Sequence, residues 1–480
     1  MEAWRLKAHE LKRYPHFDPI ISSDEAVKYA TDKQQVARHS FYPFIRFVQR
    51  WTRFAPKGQV GKPKVRELRY AARRDAYIYA YYRWLLSANY EKALSDAGLQ
   101  ENVLAYRRIP DANGKGGKCN IHYARDAFEK IVSLGSCCAI ALDISSYFES
   151  LDHQLLKSLW CRLVGAKKLP DDHFAVFKAV TQYAVVDKER VYERLGHYGP
   201  KRATKSGKII CGYVTAFDKI PKQLCTGKEF RDKIAGGKGG KSIIERNYKP
   251  YGIPQGAPIS DLLANLYLLD FDLEISARAN ALGGCYYRYS DDILILLPCA
   301  PAQAIKFEAD VRALITKFGS KLQIKEEKSS IVSYSPAGAY QKCELIVGDK
   351  SCTQGIEYLG FRFSGHKAYI RNRTLQGLYR KMTRAARREA NAIARRYPNK
   401  DAATLRKLFN REAFIKRFSK VEGFRERRDD YRSWTFWTYA SRAEKVFGPM
   451  GAPITKQLRK IRSIANHKID KEIERAVERR

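Results

Sequence analysis

Residues 137–144, CCAIALDI, form an apolar run closed by an aspartate. A run of that length and type predicts a buried strand. Two further apolar runs flank Ser290-Asp291-Asp292, and together they predict a buried β-hairpin with two acids at its tip. Residues 62–95 begin basic and extended, then place apolar and aromatic residues three and four apart, which predicts a strand running into a helix. Asn-Gly and Gly-Gly steps make 111–118 a loop. Residues 147–163 and 303–318 carry helical spacing, 251–275 reads as a turn opening into a long apolar helix, and 322–334 and 356–363 read as strands. Residues 194–250, rich in Lys and Gly, read as an insertion. From 371 onward the pattern is helical and Arg-rich, broken at Pro398 and at 448–453. Residues 1–60 show no clear period.

At 480 residues the chain exceeds one small core, and 45% hydrophobic content supports a packed protein. The formal net charge of +38 changes the picture. A field of that size attracts polyanions, above all nucleic acid. Residues 371–480 hold 31 Lys/Arg against 12 Asp/Glu, a net +19, so less than a quarter of the chain carries half of the charge. That excess points to a separate domain gripping a phosphate backbone. No apolar run reaches membrane-spanning length, and the N-terminus lacks an apolar signal core. The ten cysteines include no Cys-x-x-Cys pair, which argues against a zinc ribbon or a disulfide framework. Reduced, mostly buried thiols in a cytoplasmic protein are expected, with no membrane partner.

One motif is a decoy. Ala235–Ser242, AGGKGGKS, nearly spells a P-loop, but KEFRDKI before it cannot be the buried strand that a P-loop requires. A flexible basic loop is expected there. The ring-rich stretch 76–86 reads as core, because its rings fall on several helix faces. The stretch 431–442, where Trp434 and Trp437 share a face, is balanced between core and base stacking.

Charges are rarely buried without a partner, and a divalent metal would suit Asp291 and Asp292. Asp143 at the end of its strand can converge on the same point. Three carboxylates suffice for two Mg²⁺ ions about 3.5–4 Å apart, one activating a 3′-hydroxyl and one neutralising a triphosphate. Tyr-x-Asp-Asp alone is a common accident, but its company is not. ALDISSYFESLDH (141–153), GIPQGAPISDLLANLYL (252–268), YRYSDDILIL (287–296), LQIKEEKSSIV (322–332) and IEYLGFRF (356–363) occur in one order. In these segments the chain resembles the reverse transcriptases, over about residues 62–365.

The resemblance implies an α+β right-hand polymerase fold. It divides the chain into an N-terminal extension (1–61), fingers and palm with an antiparallel sheet (62–369, insertion at about 194–250), and a basic helical thumb or C-terminal RNA-binding domain (370–480). Asp143, Asp291 and Asp292, with the carbonyl of Ile144, would bind two Mg²⁺, or Mn²⁺ in their place. Phe148 would exclude ribonucleotides by crowding the sugar 2′-position, which disfavours an RNA-copying RNA polymerase. Gln255 and Gly256 would line the nascent pair. Lys64, Arg66 and one of Arg73 or Arg74, with Arg73 preferred, would clamp the triphosphate, Lys328 would protonate pyrophosphate, and Leu359-Gly360 would grip the primer end. Asp261 departs from the family pattern and could cap its helix. The zinc pairs of intron endonucleases and the Val-Thr-Gly signature of retron enzymes are absent. The stretches at 70–107 and 148–187 look most like bacterial defence-associated members. These imply a structured non-coding RNA template, deoxynucleotide substrates and a cDNA product. A nucleic-acid or protein hydroxyl would serve as primer, and homo-oligomerisation stays open. Two alternatives stand beside this: a catalytically silent RNA-binding or splicing-helper protein, and an enzyme like those of group II introns.

Overall fold

The computed structural model describes residues 3–52, 63–111, 114, 116–202, 209–237, 239–348, 350–419 and 435–479. Strands β1 (Phe44–Thr52) and β2 (Pro63–Tyr70) form an antiparallel hairpin, extended by β4 (Ala184–Asp187) and β7 (Glu245–Arg246) into a sheet ordered β2-β1-β4-β7. The expected boundary at residue 61 therefore falls inside a hairpin. The extension supplies a strand of the fingers sheet, pairing Phe47 with Leu68 and Ile45 with Tyr70. Its signal was hidden because β1 finds a partner across the chain rather than showing a period of its own.

The central sheet has order β11-β10-β3-β9-β8, built from β3 (Cys137–Asp143), β8 (Cys285–Tyr289), β9 (Asp292–Leu297), β10 (Ser330–Ala337) and β11 (Tyr340–Val347). Side chains alternate across a strand. Cys138, Ile140 and Leu142 of β3 face one core with Ile293, Ile295 and Leu297 of β9. Cys137 and Ala139 face a second core with Leu294 and Leu296. Both faces are thus buried, which is why these strands read as continuous apolar runs.

The first core takes in the helix Arg73–Asp96, in which Tyr77, Tyr79, Tyr82 and Tyr90 are buried. The ring-rich stretch at 76–86 is core packing. The second core takes in the C-terminal helices. There the helix Asn372–Arg396 buries Leu378, Met382, Ala386, Ala390 and Ala394, a four-residue repeat that mixes small and large side chains, and packs on the helix Ile461–Glu478. Its Lys381, Arg384, Arg388 and Arg395 stay exposed. Arg387 donates to the buried Glu472 (Nε–Oε2 2.8 Å), whose carboxyl is held below its ordinary range by that bond. Trp437 is half-buried against the second core, which favours packing for 436–442, while Trp434 lies outside the described residues.

The insertion is structured. It holds the hairpin of β5 (Tyr198–Arg202) and β6 (Ile209–Tyr213), and a third core joins its Ile220, Leu224 and Ile234 to Phe17 and Ile45. The residues before the false P-loop form helical turns, not a strand. Three other expected elements differ. The helix foreseen over 147–163 is a single turn followed by the helix His153–Val164, because Asp152 caps the latter by accepting from Gln154 and Leu155 N–H at 2.9 Å. The strand foreseen over 322–334 begins only at Ser330, since four consecutive charged residues, Lys325–Lys328, precede it. The long helix foreseen after residue 252 breaks at Leu268 into Ser260–Tyr267 and Leu269–Ala281. Beyond the sheet, β12 (Ile356–Tyr358), β13 (Phe361–Phe363) and β14 (Ala368–Ile370) make a small antiparallel sheet. Of the ten free cysteines four are buried, five half-buried and Cys211 exposed, so burial is less general than expected. Among the described residues no helix is long and apolar enough to cross a membrane.

Candidate active site

Asp143 is the last residue of β3 and Asp292 the first of β9, and the two face each other in the antiparallel ladder. Asp291 adjoins them through its carbonyl, which accepts the Ile144 N–H at 3.0 Å. The fold thus brings together four residues that the sequence singled out. One expectation needs correcting. The hairpin strands are buried, but Asp291 and Asp292 are exposed at the tip and Asp143 is half-buried. Desolvation therefore does not force a counter-ion on the pair.

The charge that is buried lies just behind. Arg288 and Asp272 are both fully buried and form a two-pronged pair (Nε–Oδ1 2.6 Å, Nη2–Oδ2 2.5 Å). Tyr286 donates to the same carboxylate at 2.6 Å, and Arg288 also reaches Asn265 Oδ1 at 3.2 Å and the Ser290 carbonyl at 3.3 Å. Burial pushes the Asp272 carboxyl up, and Arg288 pulls it back. The guanidinium thereby braces the turn from inside. Ser290 itself takes a left-handed backbone (φ 60°), an uncommon state for a non-glycine residue.

Sequence reasoning missed three neighbours. Tyr106 has φ 63° and is 44% exposed, and its hydroxyl donates to Ser290 Oγ at 3.2 Å. Burial raises its pKa, and the charges of Asp291, Asp261 and Asp292 add to the rise. Arg83 grips Asp261 with two prongs (Nε–Oδ1 2.9 Å, Nη2–Oδ2 2.9 Å) and the Tyr106 carbonyl at 3.0 Å. Asp261, the departure from the family pattern, is therefore the partner of Arg83; it stands in the first turn of its helix and does not cap it, since the cap position is Ile259. Arg69 is the third. Its N–H donates to the Gln255 carbonyl at 3.2 Å, and its guanidinium pairs with Glu67 at 2.8 Å and lies over Tyr183. The five cations of KVRELRYAARR were the available signal, and they did not say which one faces the site.

The loop carrying Gln255 and Gly256 sits against β2. At Gly256 (φ 118°) a Cβ would stand 2.1 Å from the Arg69 carbonyl oxygen, so only glycine allows this approach. Phe148 is half-buried, and its carbonyl accepts from Ile253 N–H at 2.8 Å, which tethers it to the same loop. Leu359-Gly360 forms the tight turn between β12 and β13, with φ values of 46° and 93°, and Asn120 holds the Leu359 carbonyl at 3.1 Å.

The expected triphosphate clamp is not assembled as foreseen. Arg73 is 0% exposed, and its guanidinium is used up by Asp18 (3.1 Å) and by the carbonyls of Tyr14, Asp18 and Lys222. Arg74 turns to Glu25 and the Tyr29 ring. Both anchor the N-terminal extension, whose partner residues lie more than forty positions away in sequence. Arg66 is exposed on β2. The side chains of Lys64 and Lys328 lie outside the described residues.

Carboxylates are hard donors, and Mg²⁺ binds through one or two of them with waters and substrate phosphates completing its shell. Asp143 and the Asp291-Asp292 pair fit that requirement. Among the described residues no three acidic, histidine or cysteine side chains form a ready-made metal cage, so substrate would have to complete the shell.

Residues 215–363 match the family described as reverse transcriptase (RNA-dependent DNA polymerase). The match contains Gln255, Gly256, Asp291, Asp292 and Leu359-Gly360, while Asp143 precedes it. No curated protein matches the chain. Similar solved structures include apo telomerase from Candida tropicalis truncated from its C-terminal domain, at 10% identity and a TM-score of 0.37, covering 66% of this chain and 55% of that one. Apo telomerase from Candida tropicalis is similar at 11% identity and a TM-score of 0.35, covering 89% and 65%. The chain thus spans little more than half of the first of these. Taken with the ladder that joins Asp143 to Asp292, the family match shows that the chain carries a reverse transcriptase domain.

Proposed function

We propose that the protein is an RNA-directed DNA polymerase that adds deoxynucleotides to a 3′-hydroxyl. The observation that carries this reading is the facing of Asp143 and Asp292 across one ladder, with Asp291 next in the turn. The three aspartates and the Ile144 carbonyl would hold Mg²⁺, or Mn²⁺ in its place. When bound, the metal supplies a lowered pKa at the attacking hydroxyl and neutralises charge on the triphosphate. Gln255 and Gly256 offer backbone to the nascent pair. Phe148, tethered beside them, crowds the sugar. Arg69, bonded through its backbone to the Gln255 carbonyl, takes the place of Arg73 as the candidate cation beside the positioning loop, with the exposed Arg66 on the same strand.

The basic face of the helix Asn372–Arg396 supports RNA as the template. A structured non-coding RNA, a cDNA product and a setting in bacterial antiphage defence rest on the motif resemblance, as does a protein hydroxyl as an alternative primer. The test is to purify the protein with the RNA it carries, then add Mg²⁺ and labelled deoxy- or ribonucleotides. Deoxynucleotide-only incorporation matching the bound RNA is expected. Asp291→Ala with Asp292→Ala should abolish synthesis and leave RNA affinity in place. RNA-bound protein that incorporates nothing would favour the catalytically silent reading, and activity surviving the double change would remove the metal-site assignment.

A further inference from the structure

A groove of about 900 Å³ runs between the helix Asp171–Thr181, the chain at 37–44 and the segment 246–250. Four cations line it: Arg38, Lys178, Arg246 and Lys249, all exposed. Among the described residues none of the four forms an ion pair. The contrast is local, because the neighbouring Glu245 is taken by Arg46 at 3.0 Å. Asp171 is the one acid among the residues lining the groove.

The same walls carry rings. Tyr248 is 86% exposed and Phe174 is 42% exposed. Tyr248 is not on a loose loop. Next to it, Asn247 donates from its backbone to the Tyr183 carbonyl and from its side chain to the Thr181 carbonyl, both at 2.9 Å. On its other side the Pro250 carbonyl accepts the His153 N–H at 2.9 Å, and the His153 ring bonds the Gly252 carbonyl at 2.8 Å. A rigid mount keeps the ring presented at little entropic cost on binding. The segment then runs from Pro250 straight to Gln255, so the groove adjoins the loop that positions the nascent pair.

Unpaired cations beside exposed rings recognise a chain of negative charges carrying flat bases. Every base has a π-face, so such surfaces suit single strands without reading sequence. A duplex hides those faces. We propose that this groove binds an unpaired RNA segment next to the stretch being copied, with bases on Tyr248 and Phe174 and phosphates on Arg38, Lys178, Arg246 and Lys249. The assignment deepens the RNA-copying reading and rests on it.

The test uses the full chain, a fluorescein-labelled single-stranded RNA and a duplex RNA of equal length, with anisotropy followed across salt. Tyr248→Ala with Phe174→Ala should weaken single-strand binding about tenfold per ring and barely change duplex binding. Arg246→Gln with Lys249→Gln should flatten the slope of log affinity against log salt by about 1.4, at roughly 0.7 per phosphate contact of a single strand. Primer extension should persist in both variants on a template without an unpaired flank, which also shows that they fold, and fall on a template with a long flank. 4-Thiouridine in the flank should cross-link to Tyr248. Wild-type binding and salt slope in both variants would overturn the groove assignment, as would equal losses for single strand and duplex. So would variants that keep RNA and lose a protein partner instead. If the wild type extends no primer yet the ring variant still loses single-strand binding, the groove stands and the polymerase reading fails. If the wild type extends and the variants match it on both templates, the groove alone fails.

Discussion

Asp272→Ala should unlock the Asp291-Asp292 turn without touching it. The substitution removes a carboxylate that accepts two bonds from Arg288 and one from Tyr286 at a site where both charged side chains are fully buried. Arg288 would keep its charge and have only Asn265 and the Ser290 carbonyl left as acceptors. Breaking a buried pair in this way costs ~3–5 kcal/mol, because the surviving charge is uncompensated. That is a large share of the stability of any domain. The assay is hydrogen exchange of the amides in 285–297, with primer extension alongside. Protection in β8 and β9 should fall by 2–4 orders of magnitude, at about 1.4 kcal/mol per factor of ten. Arg288→Met combined with Asp272→Leu separates the two roles of the pair. Replacing a buried ion pair by apolar side chains of similar volume is often neutral or stabilising, so protection should return. Activity should not return, because the Ser290 carbonyl has lost its donor and the Asp291-Asp292 turn its brace. Wild-type protection in the single variant would refute the buried network. Full activity in the double variant would refute the brace.

Gly256→Ala should push a methyl group into the Arg69 carbonyl and strain a backbone that L-residues avoid, costing ~1–3 kcal/mol; the expected sign in steady-state kinetics is a raised deoxynucleotide KM, and an unchanged KM would remove the loop from the nucleotide site. Phe148→Ala should admit ribonucleotides, read as the ratio of kcat/KM for the two sugars, and an unchanged ratio would leave Phe148 as packing alone. His16 is fully buried, and burial with the charge of Arg73 lowers its pKa from 6.5 to about 3. The unfolded chain therefore binds a proton below about pH 6.5 that the folded chain refuses until about pH 3, so stability falls as pH drops through that window, by about 2 kcal/mol between pH 7 and pH 5. Thermal melts across pH should show this, and His16→Gln should flatten the part that His16 contributes.

The sequence made the central sheet and its acids legible because both faces of β3 and β9 are buried, so the strands stand out as apolar runs and the aspartates as interruptions. It could not show what pairs with what over distance. The resemblance offered Arg73 as a phosphate ligand, yet its partners are Asp18 and Lys222, brought close only by the fold. Asp272 sat in view within the apolar helix, but nothing in LLDFDLEI names Arg288 as its mate. Tyr106 lay within the 70–107 stretch, but nothing there singled it out. Its role beside the turn follows from a left-handed backbone and from Arg83 holding its carbonyl, neither of which leaves a periodic trace.

The corrected burial of the hairpin tip resolves the puzzle that the sequence posed. An acidic pair inside a core would need a permanent counter-charge, and such a pair would meet substrate already neutralised. This fold divides the labour instead. One acid, Asp272, is buried and spent on Arg288, so that a cation can stand under the turn and hold its backbone. The two acids at the tip stand exposed on the turn that this cation holds. Tyr106 from one side and the Ile144 N–H from the other fix the same three-residue turn. A rigid backbone with solvated carboxylates suits reversible binding of a hard cation brought in with phosphate, because little ordering remains to be done when the charge arrives.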